Sequence, residues 1–127
     1  MTNPITAGLR YFLPVFAFAF LAGIVRTLVV APRLGEVVAV SLEVPLVLGV
    51  SWAVCRRIVG PIDPRPMPRA VMGITAFALL MIVELVMATL VFGRSPSTWL
   101  AGFRTLAGQI GFVGQIGFGL MPLLVRR

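Results

Sequence analysis

The chain has no histidine and no lysine, and it has only one cysteine, one aspartate and one tyrosine among its 127 residues. Without histidine, neither a Ser-His nor a Cys-His pair can form, and the sequence shows no cluster of metal-ligating side chains. We therefore expect no enzymatic activity, no metal site and no bound cofactor. The lone Cys55 ends an apolar stretch, where we expect a small buried side chain and no disulfide.

Charged residues are also scarce: they make up 12% of the chain, whereas hydrophobic residues make up 59%. This composition leaves too little polar surface to cover a soluble globule. A helix needs about 20 apolar residues to cross a hydrocarbon core of about 30 Å. The sequence therefore predicts an all-α integral membrane protein, in which residues 1–127 form a single domain. Its small bundle is predicted to contain four transmembrane helices, at about 11–30, 37–55, 70–92 and 106–125.

All eleven basic residues are arginines, and they are unevenly placed between the ends of the predicted helices. With four crossings, both termini and the connection between the second and third helices share one side of the membrane. Most of the arginines lie on that side, at Arg10, Arg56, Arg57, Arg65, Arg69, Arg126 and Arg127. The positive-inside rule then predicts a multi-pass protein of the bacterial inner membrane with cytoplasmic termini. We expect the net charge of +7 to attract anionic lipid headgroups and not nucleic acid, because no soluble basic face exists.

Two short segments are predicted to connect helices on the opposite side. The sequence APRLGE, residues 31–36, predicts a tight turn in which Pro32 and Gly35 break the helix. Residues 95–104 predict a short helix that lies in the membrane interface before the fourth transmembrane helix, with Ser95 as its N-cap. Arg26 interrupts the first apolar block and no A-x-A site follows, so we expect that block to stay as a helix and not to be cleaved as a signal peptide.

A proline-rich segment, RRIVGPIDPRPMPR (residues 56–69), connects the second and third helices on the cytoplasmic side. Four prolines predict an extended and fairly stiff strap. Its basic side chains are predicted either to contact headgroups or to dock another protein. These side chains are Arg56, Arg57, Arg65 and Arg69.

Three ionisable residues, Arg26, Glu43 and Glu84, fall inside predicted transmembrane helices. At about 1.5 Å per residue, all three lie roughly 20–22 Å from the cytoplasmic side. Such a residue normally faces protein or a wet cavity. We predict a buried charged layer in which Arg26 pairs with at least one of the two glutamates. Three interpretations stay open: structural pairing, which we favour, a proton or ion path, and snorkelling to the outer interface.

The segment GQIGFVGQIGFG, residues 108–119, repeats itself with a period of six. Six residues turn a helix by about 600°, so its two glutamines point roughly 120° apart and cannot line one pore together. Small and polar residues spaced by four instead predict a stripe for close helix packing, made of Ala107, Gly111, Gln115 and Gly119. The stripe could close the four-helix bundle or pair with another chain.

These features support two hypotheses about function. The favoured one is a noncatalytic accessory or assembly subunit of a larger membrane complex, held by the packing stripe and the arginine-proline strap. The alternative is a small homo-oligomeric transporter or channel, coupled to protons or ions through Glu84 or Glu43. The two hypotheses differ in whether the stripe packs inside this chain's bundle or against another chain.

Overall fold

The computed structural model describes residues 3–62 and 64–125, and that part of the chain is helical and contains no strand. Asp63, Arg126 and Arg127 lie outside the described residues. The α-helices in chain order are α1 (Pro4–Val25), α2 (Ala31–Leu34), α3 (Glu36–Ile58), α4 (Pro66–Val86), α5 (Pro96–Ala101) and α6 (Leu106–Leu124). π-Helical turns extend α1 over Arg26–Val30 and α4 over Met87–Val91, and a 3-10 turn, Gly102–Arg104, precedes α6.

Four helical segments in the described residues are long and apolar enough to cross a membrane. They are Pro4–Leu34, Glu36–Ile58, Pro66–Val91 and Leu106–Leu124. The first begins earlier than its apolar block suggests, because Asn3 caps it by accepting a hydrogen bond from the Ile5 amide at 2.8 Å. Pro4 fits the first turn, where a helix needs no amide donor.

The connections are shorter than the sequence predicted. Pro32 does not break the helix, and that prediction was wrong: the helical segment continues through Pro32 to Leu34, directly after the π-helical turn. Gly35 alone reverses the chain, with a φ of +88° that favours glycine. The prediction of an extended strap over residues 56–69 was also wrong at both ends of that segment, because α3 continues through Ile58 and α4 already starts at Pro66.

The four long helices form a bundle in which each has two neighbours. Both α1 and α6 contact α3 and α4, so α1 lies diagonally opposite α6. Successive long helices run in opposite directions. We call the end that holds Pro4, the 59–65 connection and Leu124 the terminal end, and the end that holds Gly35 and α5 the distal end.

Glycines let α6 approach α3 closely. A methyl group added to Gly114 would lie 2.9 Å from Cγ1 of Val44, and one added to Gly117 would lie 3.0 Å from Cδ2 of Leu48. Gly111 faces Val40 in the same way at 3.8 Å. Because α3 and α6 run in the same direction, apolar side chains spaced by four on α3 meet glycines spaced by three on α6.

A second glycine contact joins α6 to α4. A methyl group on Gly73 would collide with the backbone carbonyl of Gly119, and one on Gly119 would lie 3.2 Å from Cβ of Phe77. The predicted stripe is therefore divided between neighbours, since Gly111 faces α3 and Gly119 faces α4. It lies inside the bundle of this chain, and Ala107 at its start is half-buried.

An aromatic pair fills the terminal half of the core. Tyr11 is fully buried, stacks on Phe118 with ring centroids 4.5 Å apart, and donates its hydroxyl hydrogen to the Phe118 carbonyl at 2.7 Å. That carbonyl is free because Pro122, four residues later, has no amide hydrogen to donate. Ser51 and Cys55 are also fully buried in this half.

The close approach of α4 and α6 predicts a specific sensitivity at Gly73. We expect Gly73→Ala to lower stability by about 1–3 kcal/mol, because the new methyl group forces two backbones apart. Gly49→Ala is the matched control: Gly49 also lies within a long helix but faces open space, and alanine there should stabilise by up to about 1 kcal/mol. Thermal unfolding in mild detergent measures both. Equal melting temperatures for the two variants would contradict this packing.

Candidate functional site

An ion pair joins the first two long helices. Arg26 begins the π-helical turn after α1, and its Nη1 donates to Oε2 of Glu43 on α3. The two residues meet because they stand at nearly equal distances along the chain from the turn at Gly35. Their side chains are 30% and 15% exposed, so the pair is half-buried and reaches the surface of the bundle through Arg26.

A second polar pair joins the other two long helices. Nε2 of Gln115 on α6 donates to Oε1 of Glu84 on α4 at 2.6 Å. The sequence analysis placed Gln115 in a packing stripe and did not connect it with the charged residues. A signal was present, because Gln115 is an amide well inside an apolar helix, where a polar group needs a partner. Its partner could not be identified without knowing which helix stands beside α6.

Both polar pairs open onto one cavity of about 130 Å³ between the helices. Each of the four long helical segments contributes to its wall. Its polar lining residues are Arg26, Glu43, Glu84 and Gln115. The predicted charged layer of Arg26, Glu43 and Glu84 thus shares a single cavity. The rest of the lining is apolar or glycine, as in many small-molecule sites.

The charges in this cavity do not balance. Arg26 supplies one positive charge, while Glu43 and Glu84 supply two carboxylates, and both Arg26 and Glu43 act electrostatically on Glu84. Arg26 is paired with Glu43, which leaves Glu84 with the neutral amide of Gln115. Burying an ionised carboxylate without a compensating charge is costly. Glu84 is therefore the carboxylate of this cavity whose hydrogen-bonding partner among the described residues is uncharged.

Two polar atoms of the lining residues are buried without a hydrogen-bonding partner among the described residues. They are Nε of Arg26, a donor, and Oε1 of Gln115, an acceptor. The Gln115 amide turns its NH₂ group to Glu84, which is the orientation that suits an ionised carboxylate. Buried acceptors without a donor are rare in proteins, so Gln115 Oε1 marks a place where a donor from outside the chain would be stabilised.

Aromatic side chains line the terminal end of the cavity. Phe12 and Phe118 line it there, and Tyr11 packs behind Phe118 without reaching the cavity. The charged layer at the other end is partly exposed. We call Tyr11 and Phe118 the floor of the cavity.

The predicted basic segment at the terminal end divides into two kinds of arginine. Arg56, Arg57 and Arg65 are exposed, and the Arg56 guanidinium lies 5.1 Å from the ring centroid of Trp52. Arg69 departs from its predicted role, since it is half-buried and donates to the carbonyls of Pro122 and Val125. It caps the C-terminal carbonyls of α6, which have no donors within the helix. The structure does not direct Arg69 towards headgroups.

The ion pair predicts a measurable coupling between Arg26 and Glu43. Arg26→Leu and Glu43→Leu should each destabilise the protein, because each leaves one charge unpaired, and the double variant should recover part of the loss. We expect a coupling energy of about 0.5–3 kcal/mol in a double-mutant cycle of unfolding in detergent.

The matched control for that cycle is Glu36→Leu, which removes an exposed carboxylate at the start of the same helix. Combined with Arg26→Leu, it should show a coupling close to zero. A coupling as large as that of the Glu43 cycle would mean that general charge, and not the ion pair, is being measured.

The described residues contain no group of three or more histidine, cysteine, aspartate or glutamate side chains that could hold a metal ion. The polar groups that come together are a guanidinium, two carboxylates and one amide, and such groups bind charged or hydrogen-bonding species. What this chain does is inferred from these residues alone: no protein-family model, no curated protein and no solved structure matches it.

Proposed function

We propose that this chain is a multi-pass protein of the bacterial inner membrane and a small ion- or proton-coupled transporter, with Glu84 as its coupling carboxylate. The observation that carries this proposal is the second carboxylate of the cavity, Glu84, which forms no ion pair within the described part of the chain. A carboxylate in this position is stabilised when it takes up a proton or a cation. It releases that proton or cation again when its surroundings change. This is the property that a coupling site requires.

The outer surface supports membrane insertion. Large apolar side chains on the outward face of the third long segment are well exposed: Ile74 is 68%, Ile82 59% and Leu90 79% exposed. In water such a continuous apolar surface would drive association, whereas lipid tails cover it without cost. The lengths and compositions of the four helical segments fit the same environment.

The arginine distribution supports cytoplasmic termini. Arg56, Arg57 and Arg65 are exposed at the terminal end, which suits the anionic cytoplasmic leaflet. At the distal end, Ser95 accepts a hydrogen bond from the Thr98 amide at 3.1 Å and so caps α5. Trp99 on α5 suits the headgroup region on the outer side, and we propose that α5 lies in that interface.

A noncatalytic accessory or assembly subunit is the second candidate. It is weakened by the inward position of the α6 glycines, which were the expected surface for another chain. One feature favours it: a shallow apolar groove at the terminal end, lined by Arg65, Pro66, Met67, Ala70 and Leu123. A larger membrane complex could hold the chain there.

The transporter proposal predicts that proton movement depends on Glu84. In liposomes that carry a pH gradient and an internal pH-sensitive dye, the wild-type protein should accelerate equilibration. Glu84→Gln should reduce that rate at least tenfold, because the amide cannot exchange a proton, while circular dichroism stays unchanged. Glu36→Gln, at an exposed position, should transport as wild type does.

Two results would count against this proposal. Undiminished proton movement in Glu84→Gln would remove Glu84 from the mechanism. A stoichiometric foreign protein that copurifies after gentle extraction, together with no proton movement by the wild type, would favour the accessory subunit.

The orientation predicts which positions are accessible from outside the cell. In a Cys55→Ser background, Ser97→Cys on α5 should react with a membrane-impermeant maleimide in intact spheroplasts, because it lies at the distal end. Met67→Cys, 73% exposed at the terminal end, should react only after the membrane is permeabilised. The reverse pattern would place the termini outside.

A further inference from the structure

We propose that the cavity binds a small protonated primary amine, an alkylammonium ion of about three to five carbon atoms. This rests on the proposed function, because it names the substrate class of the site that contains Glu84. The inference follows from the charge, the unpartnered acceptor, the apolar walls and the volume of the same cavity.

The polar end of the cavity matches an ammonium group. Within residues 3–62 and 64–125, Glu84 forms no ion pair, and Oε1 of Gln115 is a buried acceptor to which no group donates. The two side chains already touch through their other atoms, so both acceptors are close together. An ammonium group carries one positive charge and three N–H donors, and it would satisfy both acceptors at once.

The remaining walls match an alkyl chain. Phe12, Phe16 and Phe118 line the cavity together with aliphatic side chains, among them Val47 and Leu80. Phe12 and Phe16 stack with ring centroids 5.2 Å apart and so present a continuous aromatic surface. Aromatic faces attract cations as well as apolar groups, so these rings suit both parts of an alkylammonium ion.

The volume sets the size of the ligand. A cavity of about 150 Å³ in an apolar protein core accommodates benzene, which has six non-hydrogen atoms. The present cavity of about 130 Å³ therefore holds roughly five, which corresponds to a nitrogen atom and about four carbon atoms.

Other cations fit this site less well. Hard cations such as Ca²⁺ and Mg²⁺ take about six or more oxygen ligands, and the polar lining offers two carboxylates and one amide. A quaternary ammonium ion has no N–H group and would leave the Gln115 acceptor without a donor. A proton alone would neither contact the aromatic walls nor fill the volume of the cavity.

Isothermal titration calorimetry on the purified full-length protein in mild detergent tests this inference. n-Butylammonium chloride should bind with a dissociation constant of about 1 mM or tighter, as is attainable for a ligand of five non-hydrogen atoms. Tetraethylammonium chloride should bind at least tenfold more weakly, because it is larger and lacks donors. Equal affinities for the two salts, or no butylammonium binding, would overturn the proposal.

Three variants locate the binding. Glu84→Gln should weaken butylammonium binding at least tenfold, and Glu36→Gln should leave it unchanged. Ala19→Leu fills the cavity from α1 and retains every charge, so it should abolish amine binding. Unchanged butylammonium affinity in Ala19→Leu would place the ligand elsewhere and overturn the proposal, even where Glu84→Gln fails to fold.

The outcomes separate this inference from the proposed function. Glu84-dependent proton movement without amine binding would refute the amine and leave the proton-coupled function in place. Amine binding that depends on Glu84, without proton movement, would keep the ligand and refute proton coupling. The absence of both would refute both.

Discussion

Charge compensation in an apolar interior is the constraint on which this structure depends. Four polar side chains come from four different helical segments and meet in a single cavity, because none of them can be left alone among aliphatic groups. Arg26 and Glu43 compensate each other across one hairpin. Glu84 and Gln115 form a hydrogen bond across the other, which leaves Glu84 with a neutral partner.

The glycines of α6 make that meeting possible. Gly114 lies against Val44, and Gly119 lies against Phe77 and Gly73, so α6 fits deeply between its two neighbours. Gln115 follows Gly114 in the chain. The close approach of α6 at Gly114 therefore also brings the Gln115 side chain into the interior, within reach of Glu84. The packing motif and the polar site are two results of the same helix position.

Much of the fold could be predicted, because it depends on length and composition. Apolar blocks of membrane-spanning length gave the four long helices, and the rise per residue placed Arg26, Glu43 and Glu84 at one depth. The Glu84–Gln115 contact and the divided stripe could not be predicted, since both depend on the order of the helices around the bundle. Pro32 was misjudged because the helix continues through it to Leu34 after a π-helical turn, which length and composition do not reveal.

The floor of the cavity, Tyr11 and Phe118, links the two diagonal helices. Pro122 removes one amide from α6, and the Tyr11 hydroxyl takes its place on the Phe118 carbonyl, so the two diagonal helices are tied by a bond and an aromatic stack. Phe118 of this pair lines the cavity, and Tyr11 packs behind it. Under the proposed function, a solute that crosses the whole bundle would have to separate Tyr11 from Phe118, so opening at this pair would contribute to the rate of transport.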